Sequence, residues 1–298
     1  MTGSPRLSVV IPAFDAGSTI GAAMTSVLEQ APADRVEVVV VDDGSTDVTA
    51  DVVRSLPDDR VRLLSQTRQG RGAARNAGAG AARGDHLMFL DADDRLSGGS
   101  VAAVLDAVGP TPGWSGEPGV VRLAVRYLPG SGAGVGRVVE PSTDLIDPPA
   151  IPGSFVVARR LFAEIGGYHE HLGFSENSEL LYRLADVVHG HGLPVLARAS
   201  PGVDHRHRAD TAHHYRAERI EATRYMLDAH ADRLEGRARL HCDLLGVLAH
   251  DLMIQGSTRE AAGLAWRCVR RRPRPRSAAR LGRIVAADAA RRMRSPRS

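Results

Sequence analysis

Residues 36–41 read Val-Glu-Val-Val-Val-Val, a nearly unbroken β-branched run. A strand of that kind is covered on both faces, and a sheet with helices above and below it supplies such cover. The flanking sequence repeats the theme. Leu7 to Ile11 is a short apolar run closed by Pro12, and Ser18 or Thr19 would cap a helix reaching about Gln30. After residue 41 comes the turn-and-cap cluster Asp-Asp-Gly-Ser-Thr-Asp, then a helix to about Leu56 and a third strand, Val61 to Leu64. The stretch from Gly70 to Gly84 is rich in Gly and Ala and is spaced for a tightly packed helix, and Leu87 to Leu90 is the fourth strand. This strand–helix alternation predicts an α/β fold, with a mostly parallel sheet flanked by helices.

From about Ser97 the alternation fades. Val101 to Val108 has a helical pattern, and Val120 to Tyr127 reads as a strand between loops at 109–119 and 129–153, dense in Gly and Pro. Residues 153–174 suggest a strand, a short helix and a turn, 175–192 a helix ended by Gly, and 193–200 a further strand. Beyond about Thr211 the pattern is helical: about Ala212 to Leu234, Ala238 to Ile254, and a helix opened by Ser257 and Glu260 at capping-box spacing. The predicted organisation is a 1–210 domain, with halves 1–96 and 97–210, followed by a helical region at 211–298.

The 298 residues carry a net charge of +3, which gives no global nucleic-acid signal. All 38 basic residues are Arg, a coding bias with no functional content. Cys242 and Cys268 form no CxxC pair, which fits a reducing compartment. The N-terminus shows no apolar leader, and no run approaches the ~18 residues of a membrane span. These features predict a cytoplasmic protein.

Function is written at the predicted strand ends. In open α/β sheets ligands bind beyond the carboxyl ends of the strands. Three acidic segments fall there: Pro12-Ala13-Phe14-Asp15, the segment starting Asp42-Asp43, and Asp91-Ala92-Asp93-Asp94. Like charges this close repel, so a cation is expected among them. Asp91 and Asp93, one residue apart, would share Mg²⁺ or Mn²⁺, leaving coordination positions for phosphates. Arg71 and Arg75 would clamp phosphate or stack on a base. Each segment alone also reads as a cap or a solvated turn. Together they describe a pocket for a nucleotide diphosphate.

These segments, with the later stretch from Ala158 to Ala185, resemble family 2 glycosyltransferases with the GT-A, Rossmann-like fold, over about residues 7–210. The resemblance implies that Pro12, Ala13, Phe14 and Asp15 surround the base and ribose. It implies that Asp42 or Asp43 holds the base, usually uracil, and that Arg75 and Asn76 lie beside the nucleotide. Asp91 would lie near the ribose and metal, and Asp93 would bind the metal through the diphosphate. His207, with His205 as second choice, would complete the metal site. The implied activity is inverting, metal-dependent transfer from a nucleotide sugar, a UDP-sugar above others, to a hydroxyl of a glycan, lipid-linked or small-molecule acceptor.

One departure stands out. The family usually places Glu-Asp at the start of the helix after residue 175, with the Asp as general base. Here the pair is Glu176-Asn177. Glu176, the favoured substitute, or Glu179 would take the proton, or the acceptor is already a good nucleophile. Otherwise the protein is a non-catalytic sugar-nucleotide-binding scaffold. A nucleotidyltransferase is disfavoured, because no Gly-rich, Lys-containing phosphate loop occurs near residues 7–21.

The Arg-rich tail from residue 267 has two readings. One is a solvated, partly disordered segment. The other is a basic amphipathic helix bearing Leu281, Ile284, Val285 and Met293, which would rest on an anionic membrane at the inner face of the plasma membrane. The helical region also offers a surface on which two chains would pair.

Overall fold

A computed structural model describes residues 5–32, 34–109, 116–128, 137–147, 150–206 and 216–272, with 279, 282 and 286. The chain divides into two compact units, one comprising residues 1–171 and 176–209, the other 172–175 and 210–298.

The first unit is built on one nine-stranded sheet. Its strands are β1 (Leu7–Ala13), β2 (Val36–Asp42), β3 (Val61–Ser65), β4 (His86–Phe89), β5 (Arg95–Leu96), β6 (Val120–Leu128), β7 (Arg137–Val139), β8 (Phe155–Ala158) and β9 (Val195–Arg206). The order is β3-β2-β1-β4-β8-β6-β9-β5, with β7 pairing β6 outside that path. From β3 to β4 every pairing is parallel. Beyond β4 the sheet is mixed. The pairs β4–β8, β6–β8, β5–β9 and β6–β7 run antiparallel, and β6–β9 runs parallel with a register shift at Ala124.

Alternate residues of β1, β2 and β4 feed two cores, as double-sided cover requires. Val9, Ile11, Val38, Val40 and Met88 join one cluster. Val10, Val39, Val41, Leu87 and Phe89 join the other. The first cluster lies under α1 (Ile20–Leu28), α2 (Thr49–Arg54) and α4 (Ser100–Ala107). The second lies under α3 (Arg71–Ala81), α5 (Arg159–Glu164) and α6 (Glu176–Gly190).

The Gly-Ala composition of α3 has a steric cause. A Cβ at Gly78 would come within 2.3 Å of Val10 Cγ1 and 3.0 Å of Val41 Cγ2, so only Gly lets the helix lie this close to β1 and β2. Further along, the fully buried Arg122 of β6 ties down the 144–147 loop by donating to the carbonyls of Asp144, Leu145 and Asp147. Burial pushes its pKa down to about 10.

The second unit contains α7 (Arg216–Ala229), α8 (Ala231–Glu235), α9 (Ala238–Gln255) and α10 (Thr258–Arg271). Ile220, Leu248, Ala249, Leu252, Ala261 and Ala265 form its core. Asp251, fully buried on α9, receives two bonds from Arg219 of α7. Where one helix was expected up to Leu234, the chain breaks at His230, which leaves helical geometry at φ −118°. The expected capping box at Ser257 is not made. Ser257 contributes its carbonyl to Ala261 N–H, and Glu260 turns outward to pair with Arg224 at 2.8 Å. Cys242 and Cys268 are free and buried, and burial pushes the Cys242 thiol up to about 11. Leu281, Ile284, Val285 and Met293 lie outside the described residues.

Candidate active site

Parallel register puts the ends of β1 and β2 side by side, Ala13 opposite Asp42, and β4 ends beside Val10. The loops that follow therefore share one rim. The 13–17 loop is fastened to the 43–49 loop at several points. Asp43 N–H donates to Ala13 O at 2.8 Å, Asp15 N–H to Ser45 Oγ at 3.0 Å, Ala16 N–H to Thr49 Oγ1 at 2.8 Å, and Thr46 N–H to Asp15 Oδ1 at 2.8 Å. Asp15 takes a left-handed φ of +45°, which a short polar side chain tolerates.

The Asp42-Asp43 pair divides its work. Asp43 accepts from Gln66 Nε2 (2.7 Å), Gln69 N–H (2.8 Å) and Gly70 N–H (2.8 Å), which employs both of its oxygens in holding the loop before α3. Asp42 accepts only from Ser45 N–H, at 3.0 Å through Oδ1, among the described residues. Of the two, Asp42 keeps an oxygen for a ligand. Phe14 lies under the guanidinium of Arg68, 3.8 Å from the ring centroid. Sequence reasoning missed Arg68. Its signal was a lone Arg three residues beyond the end of β3.

Arg75 differs most from expectation. It is 0% exposed and does not reach outward to a phosphate. It donates to Asp91 Oδ1 at 2.7 Å and to Glu176 Oε1 at 2.9 Å. Burial alone would lower its pKa, but Asp91, Tyr168 and Glu176 outweigh that and raise it. Arg71, more exposed, stands 3.8 Å from the same Glu176 oxygen. Asn76 likewise faces inward: its amide donates to Tyr168 O and Glu170 Oε1, both at 3.0 Å, and its carbonyl receives Tyr168 N–H at 2.8 Å.

The Asp91–Asp94 turn, closed by Asp94 N–H donating to Asp91 O, splits its three carboxylates. Asp91 and Asp93 are partly exposed, whereas Asp94 is buried and meets His205 Nδ1 at 2.8 Å. Burial pushes the Asp94 carboxyl up to about 6, and the bond to Asp94 raises His205. The third Asp is thus neutralised by a histidine on β9. His207, the expected metal ligand, lies outside the described residues. Among the described residues no cluster of three His, Cys, Asp or Glu side chains is set to hold a metal ion. The donor chemistry still fits a hard cation held by few protein ligands, because Asp91 and Asp93 are partly exposed carboxylates on one turn.

The start of α6 is as constrained as Arg75. Glu176, Asn177 and Glu179 are all buried. Asn177 Oδ1 accepts from the Tyr168 hydroxyl at 2.9 Å, and burial raises the pKa of that phenol. Glu179 receives a bidentate fork from Arg183, with Nε at 2.8 Å and Nη2 at 2.5 Å. His169 Nε2 approaches Glu179 Oε1 to 3.4 Å.

The family model described as glycosyl transferase family 2 matches residues 8–112, about a third of the chain. The succinoglycan biosynthesis protein ExoO of Rhizobium meliloti is 48% identical over 93 residues, which are 31% of this chain and 26% of that protein. The GalNAc(5)-diNAcBac-PP-undecaprenol beta-1,3-glucosyltransferase of Campylobacter jejuni is 36% identical over 105 residues, 34% of each. The chain thus matches only about a quarter to a third of the length of these curated relatives. Likeness to solved structures runs further. S. aureus TarS 1-349 in complex with UDP-GlcNAc matches at TM-score 0.60 and 16% identity over 98% of this chain and 93% of that one. The mannosyltransferase PcManGT of Pyrobaculum calidifontis, in complex with GDP-Man and Mn2+, matches at TM-score 0.60 and 19% identity over 99% and 82%. The first unit therefore has the GT-A fold, and residues 8–112 are similar to glycosyl transferase family 2.

Proposed function

We propose that the protein transfers a sugar, with inversion, from a UDP-sugar to the hydroxyl of a glycan, lipid-linked or small-molecule acceptor. The observation that carries this reading is the single rim on which Phe14, Asp42, Asp91 and Asp93 stand, joined through Arg75 to the start of α6. The Phe14–Arg68 pair offers a stacking platform for the base. Asp42 offers one carboxylate oxygen, which matches the single imide N–H of uracil. Guanine, with adjacent N1–H and N2–H donors, asks for two. Asp91 and Asp93 would hold Mn²⁺ or Mg²⁺, joined by His207. When bound, the cation neutralises charge gathering on the departing diphosphate. The neighbours' ligands, UDP-GlcNAc in one and GDP-Man with Mn2+ in the other, support a nucleotide-sugar donor.

Calorimetry of UDP, GDP and dTDP, each with and without Mn²⁺, tests the reading. UDP is expected to bind most tightly, and only with the metal. Binding of none of the three would overturn it. Asn177 favours a second reading, a nucleotide-sugar-binding scaffold. That reading gains if UDP binds but no UDP is released from any UDP-sugar.

Charge suggests where the enzyme works. Residues 259–298 hold 13 Arg against Glu260 and Asp288, a charge of +11, which leaves −8 for residues 1–258. The exposed face of α10 presents Arg259, Trp266, Arg267 and Arg270, with Arg270 4.8 Å from the Trp266 ring centroid. Among the described residues no helix is long and apolar enough to cross a membrane. An interfacial Trp among arginines suits an anionic lipid surface, at about 1 kcal/mol per Arg near it. The protein is expected to sediment with vesicles containing phosphatidylglycerol but not with pure phosphatidylcholine, and to be released by high salt. Equal sedimentation with both would contradict the assignment.

A further inference from the structure

The carboxylates of the Asp91–Asp94 turn and of the neighbouring β9 each have a cation at hand. Asp91 is bonded to Arg75 and Asp94 to His205, and Asp93 is assigned to the proposed metal ion. Asp204 of β9 stands 3.3 Å from Arg126 Nη1 on β6. Arg95, which follows the turn and opens β5, has no such counterpart. It is exposed, and among the described residues its guanidinium makes no hydrogen bond or ion pair. Asp204 lies opposite Arg95 in the β5–β9 register, yet it turns to Arg126 and to the Ser97 hydroxyl.

We infer that Arg95 and Arg126 bind a phosphate group carried by the acceptor, an assignment that rests on the glycosyl-transfer reading. The strands set the direction. Leu96, Val125 and Val203 feed the core cluster under α1, α2 and α4. Successive side chains of a strand point to opposite faces, so Arg95, Arg126 and Asp204 point to the other one. That is the face of α3 and α6, on which Arg75 joins Asp91 to Glu176. The turn keeps Arg95 close to this bridge: Asp94 N–H donates to Asp91 O at 3.0 Å, and Arg95 is the next residue. Since β9 lies between β5 and β6, the backbones of Arg95 and Arg126 stand two strand spacings apart, roughly 9.6 Å. Two arginine side chains are long enough to meet one anion between them, beside Asp204.

The chemistry of the pair selects the ligand. A guanidinium presents a planar fork of N–H donors that matches the oxygens of a phosphate two at a time. Arg126 meets Asp204 through Nη1 alone, which leaves Nη2 and Nε for a second partner among the described residues. With Asp204 balanced by Arg126, the ledge carries the unbalanced charge of Arg95, which favours an anion over a neutral glycan. The donor's diphosphate is met at the cation of Asp91 and Asp93, whereas Arg95 and Arg126 stand on the strands beyond it, where the acceptor enters. Among glycan, lipid-linked and small-molecule acceptors, this ledge selects those that bear a phosphate ester or a diphosphate.

The test titrates phenyl phosphate, a probe without a sugar, into the protein alone and into the protein saturated with UDP and Mg²⁺, followed by calorimetry. Wild type is expected to bind the probe in both states. Arg95→Gln and Arg126→Gln should each lose about tenfold or more in affinity for it while UDP affinity holds, and Arg95→Lys should recover part of the loss, because a point charge replaces the fork. Equal affinity in Arg95→Gln and wild type, or no binding of the probe by wild type, overturns the assignment and leaves the transferase reading standing. Benzoate bound as tightly as phenyl phosphate overturns the choice of phosphate, since the ledge would then take any anion. A parallel loss of UDP affinity in Arg95→Gln moves that residue to the donor's diphosphate and overturns its role with the acceptor. Failure of wild type to bind UDP while it still binds phenyl phosphate sinks the transferase reading, and the phosphate site survives it.

Discussion

Arg75→Met is expected to destabilise the first unit by about 3–5 kcal/mol, the cost of removing one partner from a buried ion pair. The magnitude follows from burial. Glu176 is 4% exposed, and with the guanidinium gone its carboxylate would stay in a dry site whose remaining cation, among the described residues, is the more distant Arg71. Methionine keeps most of the volume, so the loss reports charge rather than a cavity. Urea denaturation followed by circular dichroism measures it. A companion Glu176→Gln should cost less, because Arg75 would keep Asp91 at 2.7 Å. Equal stability of Arg75→Met and wild type would mean that the buried bridge contributes nothing to folding.

Asp93→Ala should weaken UDP binding in Mn²⁺ by about 100-fold, roughly 2.7 kcal/mol, and abolish the difference between titrations with and without the metal. Its carboxylate is partly exposed beside the rim. The fold should therefore survive, and a thermal melt would confirm that. Undiminished metal-dependent binding in the variant would remove Asp93 from the proposed cation site. Together the two substitutions separate a charge that builds the site from one that meets the ligand.

Much of this was legible in the chain. The Val36–Val41 run announces a strand covered on both faces, and its side chains do alternate between two cores. The acidic segments were locatable because each follows an apolar run, and the parallel register of β1 with β2 and β4 does the rest. Illegible features depend on partners distant in sequence. Arg75 reads as a phosphate clamp until Glu176, 101 residues later, is seen beside it. Asp94 cannot be told apart from the neighbouring rim carboxylates until His205 arrives from β9. Strands of two and three residues, β5 and β7, owe their existence to β9 and β6 and carry almost no pattern of their own. Ser257 and Glu260 had the spacing of a capping box, but Arg224 offered the Glu a better neighbour than a backbone N–H.

The notch at Gly78 acts as a mechanical index for the whole rim. Val10 and Val41 fill the space its side chain lacks, so α3 has one seat on the sheet and cannot slide along it. A slip of one turn would carry Arg75 about 5.4 Å along the helix axis, beyond reach of both Asp91 and Glu176. The alignment of the charged machinery is thus set by the one residue on that helix face that brings no atoms of its own.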